Sequence, residues 1–69
     1  MDEIKRGNIY FNSITNLYYV VTGVNTIGGN IFNTIIFDGY ETNHKYLGDG
    51  TLTVKESEED YFYQVGGIY

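Results

Sequence analysis

Leu17-Tyr18-Tyr19-Val20-Val21-Thr22-Gly23-Val24 and Ile31-Phe32-Asn33-Thr34-Ile35-Ile36-Phe37 are the two runs that decide the fold. Both are built largely of β-branched and aromatic residues, which fit a pleated surface and are stiff in a helix. Between them lies Asn25-Thr26-Ile27-Gly28-Gly29-Asn30, where the glycine pair supplies positive φ at little steric cost. Two such runs around such a turn predict an antiparallel hairpin. The first run is apolar on both faces for most of its length, which places it centrally in a sheet. Gly23 near its end marks a bulge or a sharp bend. Asp38-Gly39 ends the second run.

The same punctuation recurs on either side of the hairpin. Asn8 to Asn12 reads as a first strand, with Ile9 and Phe11 on one side and Asn8, Tyr10 and Asn12 on the other. Thr51 to Lys55 reads as a fourth strand carrying Leu52 and Val54 on one face. Tyr61 to Val65 reads as a fifth. Residues 40–50 are the least regular and fit a loop or a single helical turn. No capped run with a 3.6-residue apolar period occurs, so no helix is predicted. The fold class is therefore all-β: one domain over 1–69, as a small five-stranded antiparallel sheet or an SH3-like barrel. The barrel is a resemblance of layout, carried by five short strands and the bend glycine in the second. It implies closure, which would remove exposed strand edges. It does not imply the proline-peptide binding of SH3 domains, because the chain has no tryptophan for such a groove.

Composition then limits the function. The chain has 69 residues, a net charge of −5 and no cysteine. Disulfides and thiolate metal sites are excluded, and a lone histidine, His44, cannot build a zinc site. Eight tyrosines and four phenylalanines are the main source of buried area. Nine acids against four scattered bases argue against direct binding to nucleic acid or to an anionic membrane, and favour a protein partner with a basic surface. The N-terminus lacks the pattern of a signal peptide and no run reaches membrane-spanning length, so a cytoplasmic protein is expected.

Residues 56–63, Glu-Ser-Glu-Glu-Asp-Tyr-Phe-Tyr, join a carboxylate cluster to an aromatic one. Glu56, Glu58, Glu59 and Asp60 are candidates to attract a basic partner, or to imitate the phosphates it normally grips. They also read as an ordinary solvated turn between strands. Their spacing lacks the pattern that wraps calcium. Alternation puts Tyr61 and Tyr63 on one face and Phe62 on the other, with Phe62 inside because it has no polar atom. Tyr61 and Tyr63 are then candidate contact anchors, with Tyr40 and Tyr46 extending the surface. Asn33 shares a face with Ile31, Ile35 and Phe37; if it is exposed, that face is an interface. His44, near Glu41 and Asp49, reads as a solvated loop residue. The glycine pairs match no phosphate-binding motif.

The expectation is a small non-enzymatic binding protein with no cofactor. Stand-alone proteins of this size, acidity and aromatic content resemble phage-encoded inhibitors of host or defence machinery. The alternatives are a self-associating β module, whose tyrosine face is a homo-oligomer interface, and a protein that sequesters a small ring-bearing ligand.

Overall fold

The computed structural model describes residues 4–25, 27–39 and 45–67. Five strands form one antiparallel sheet: β1 Ile9–Asn12, β2 Leu17–Val24, β3 Ile31–Asp38, β4 Tyr46–Thr53 and β5 Phe62–Gly66. The order across the sheet is β4-β3-β2-β1-β5, so β2 is the middle strand. One short helix, α1, spans Val54–Ser57 between β4 and β5. The β2–β3 hairpin forms as expected, and its register shifts between Val21 and Gly23, where the bend glycine sits. The sheet is open. Among the described residues β4 and β5 are its two edges and do not pair, so the closure that a barrel needs is not seen.

Two elements differ from the sequence expectation. β4 begins at Tyr46, not Thr51, and Val54–Lys55 belong to α1 rather than to a strand. Gly48, Asp49 and Gly50 are poor strand formers, but their backbones pair with Ile36, Ile35 and Thr34 of the strongest strand in the chain. Gly50 also has a packing role. A Cβ there would collide with Ile36 Cδ1, so the glycine makes room for the isoleucine that folds over it.

The core sits on one face of the sheet and holds Ile4, Tyr10, Val21, Phe32, Leu52 and Phe62. β1 contributes to it through Tyr10 and Asn12, with Asn8 just before the strand, although Ile9 and Phe11 are the more apolar set. The asparagines are satisfied locally. Asn8 Nδ2 donates to the Tyr10 hydroxyl at 3.4 Å. Asn12 Oδ1 accepts from the amides of Ile14 and Thr15 at 2.9 and 3.1 Å, fastening the β1–β2 turn. The turn closes through Asn16, whose φ of 60° asparagine tolerates better than most residues.

Thr34 breaks this pattern. It is buried opposite Val21, and its hydroxyl has no hydrogen-bond partner among the described residues. A buried hydroxyl without a partner costs stability. Thr34→Val should therefore raise stability by about 1 kcal/mol, read as a higher thermal midpoint. A lower midpoint would show that the hydroxyl is bonded in solution.

Candidate functional site

The acidic turn is organised by a helix cap. Thr53 has an extended backbone, φ −89° and ψ 155°, and its hydroxyl accepts from the Glu56 amide at 3.0 Å. The Glu56 carboxylate accepts in return from the Thr53 amide at 2.9 Å and from the Thr53 hydroxyl at 3.0 Å. This reciprocal pair satisfies orphan donors at the start of α1. Ser57 turns inward and donates to the Val54 carbonyl at 2.7 Å. Glu59 accepts from the Phe62 amide at 3.0 Å through its backbone, which leads the chain into β5.

The four carboxylates therefore divide. Glu56 is engaged in the cap, while Glu58, Glu59 and Asp60 project from an exposed turn. The aromatic half divides as well. Phe62 is buried, as its lack of a polar atom led one to expect. Tyr63 is 45 % exposed on the opposite face. Tyr61 does not share that face with Tyr63. It lies in the turn before β5, where strand alternation has not begun, and packs against the core beside Phe62 with ring centroids 5.5 Å apart. Its carbonyl accepts from the Ser13 amide at 2.9 Å, tying the acidic turn to the β1–β2 turn.

Tyr63 does not stand alone. It pairs with Phe11 across β5 and β1, Phe11 with Tyr18 across β1 and β2, Tyr18 with Phe37 across β2 and β3, and Phe37 with Tyr46 across β3 and β4. Directly paired residues point to the same face. One aromatic ring from each strand thus forms a row across the whole sheet, on the face away from the core. Ring centroids are 5.8 Å apart for Phe11–Tyr63, 4.8 Å for Phe11–Tyr18 and 5.6 Å for Phe37–Tyr46, all tilted. These lie in the range in which aromatic pairs attract beyond their burial. Tyr46, 52 % exposed, ends the row at β4, and its hydroxyl donates to Asp49 Oδ1 at 2.7 Å. That hydrogen bond raises the Tyr46 phenol above its ordinary pKa. On the core face Tyr19 is also raised, chiefly by burial; Thr15 offsets part of this and the charge of Glu56 adds to it.

Beneath the rings runs a second row, Ile35, Val20 and Ile9, again matched across β3, β2 and β1. Asn33 is exposed on this face. No element among the described residues lies over it: the helix and Ile4 serve the other side. Sequence reasoning identified the two end members, Tyr46 and Tyr63, but missed Phe11, Tyr18 and Phe37. The signal available was register. Counting from the β2–β3 turn aligns Tyr18 with Phe37 once one residue is allowed for the bulge at Gly23, but only the fold shows that β5 returns beside β1.

Tyr40, with Glu41 and His44, lies outside the described residues. No group of three or more His, Cys, Asp or Glu converges among those described, and no described helix is long and apolar enough to cross a membrane. No family model, curated protein or solved structure matches the chain.

Proposed function

We propose that this chain is a small non-enzymatic binding protein that acts by covering the surface of a protein partner, and that the partner's surface is basic. The observation that carries the proposal is the row of five rings over which no described element lies, with exposed carboxylates three to five residues before Tyr63 at its β5 end. Rings supply contact area at low entropic cost, and carboxylates steer a basic surface into place. The partner surface is one that ordinarily grips nucleic acid, with Glu58, Glu59 and Asp60 standing in for phosphates. A phage-type inhibitor of a host or defence protein, working in the cytoplasm without a cofactor, fits this chemistry. The SH3-like layout remains part of the proposal as connectivity only, in which a short helix joins the two outer strands.

The test is capture from a host lysate, with mass spectrometry of what is retained. Reversal of two exposed charges in Glu58→Lys/Glu59→Lys should slow association with a basic partner about tenfold or more in low salt. It should leave folding stability within about 0.5 kcal/mol. Glu56→Gln is the control, because glutamine also completes a capping box. It should capture as the unaltered chain does. Undiminished capture by the double reversal would remove the charge-steering role.

A further inference from the structure

Read from β4 to β5, the ring row is Tyr46, Phe37, Tyr18, Phe11, Tyr63. It is a palindrome, Tyr-Phe-Tyr-Phe-Tyr, centred on the middle strand. The row below it is Asp49, Ile35, Val20, Ile9, Gly66, and its inner three residues are palindromic too. A two-fold interface uses one patch twice, so that residue i meets j and j meets i. A face that reads alike from both edges meets this condition: rings oppose rings, and aliphatic side chains oppose aliphatic ones.

We propose that a second copy of this chain covers the ring face, related by a two-fold axis lying between the two sheets and parallel to β2. Tyr46 of one copy then meets Tyr63 of the other, Phe37 meets Phe11, and Tyr18 meets its own counterpart. The axis direction follows from where the rings sit. The row lies at or one residue in from the strand ends. An axis along the row would swing the aliphatic row past the end of the other sheet, whereas an axis along β2 stacks both rows on their counterparts. It also sets Asp49, the one carboxylate in these two rows, opposite a glycine at the rim, where water reaches it.

Three further observations favour a second copy as the occupant. Strands about 4.8 Å apart and rows about 6.8 Å apart, with two full rows and a third that only β2, β3 and β4 continue, give a face of about 420 Å² per copy, so a pair buries about 850 Å², the size of a weak, concentration-dependent contact. A domain of 69 residues without disulfides gains much from such burial. The edges are poor docking strands. Asp49 and a register shift interrupt β4, and β5 has only five residues. The proposal uses the same face as the binding function above, but it does not require a basic partner.

Sedimentation equilibrium of the full chain tests it. The expected mass rises with concentration towards twice 7.9 kDa and stops there, because a two-fold contact closes. Each copy carries −5, so association should tighten several-fold as salt is raised, the reverse of binding to a basic partner. Tyr18→Glu sets two carboxylates against each other at the axis and should weaken association about 100-fold. Tyr46→Lys and Tyr63→Glu lie at exposed positions that folding tolerates. Each alone should weaken association about tenfold, and the two together should restore it, because they meet across the axis. A 7.9 kDa species alone at millimolar concentration and high salt overturns the proposal. So does assembly beyond a dimer, a dimer indifferent to Tyr18→Glu, or a double variant no tighter than the single ones. None of these outcomes bears on charge steering, which the reversal at Glu58 and Glu59 tests by itself.

Discussion

Tyr10→Ala is expected to remove most of the stability of this domain. Tyr10 is 0 % exposed, pairs with Tyr19 on β2 and Gln64 on β5, and receives a hydrogen bond from Asn8. It thus joins three adjacent strands at the floor of the core. Truncating a buried ring to alanine costs about 3–5 kcal/mol through lost burial and the cavity left behind. A domain of this length has about 3–10 kcal/mol in total. Urea unfolding should show a midpoint displaced far towards zero denaturant, or no folded baseline. Tyr10→Phe keeps the ring and should lose no more than about 1.5 kcal/mol. A loss below about 1 kcal/mol for Tyr10→Ala would mean that the core lies elsewhere.

Leu52→Ala is the second large effect, and Leu47→Ala is its control. Both leucines are in β4. Leu52 is 1 % exposed and pairs with Phe32 in the core, while Leu47 is 51 % exposed at the register shift opposite Ile36 and Phe37. The first substitution should cost about 2–5 kcal/mol and the second under about 0.5 kcal/mol. The same chemical change in one strand thus separates burial from strand propensity. Equal losses would place Leu47 in the core too and would contradict the register of β4.

The hairpin of β2 and β3 was legible because its residues carry both the strand preference and the turn that joins them. α1 was not legible through periodicity, since four residues cannot display a 3.6-residue repeat. Its trace is the capping box from Thr53 to Glu56, whose residues also fit the end of a strand and an acidic turn. Alternation puts Tyr61 and Tyr63 on one face only if the strand holds both, and it starts at Phe62. The reading of Asn33 was conditional on its exposure, and its exposure marks the face on which the ring row lies.

The all-β class, the central hairpin, the inward Phe62 and the acidic character of the turn before β5 are legible in the residues alone. These follow from side-chain shape and charge, which act locally. The packed sheet sets Asn8, Tyr10 and Asn12, not Ile9 and Phe11, towards the core. The tertiary structure also commits Glu56 to a helix cap and brings five rings from five strands into one row. The physical reason is that alternation divides each strand into two faces without saying which is buried. That choice is made by which strands pair and by what covers the sheet, and both depend on contacts between residues far apart in the chain.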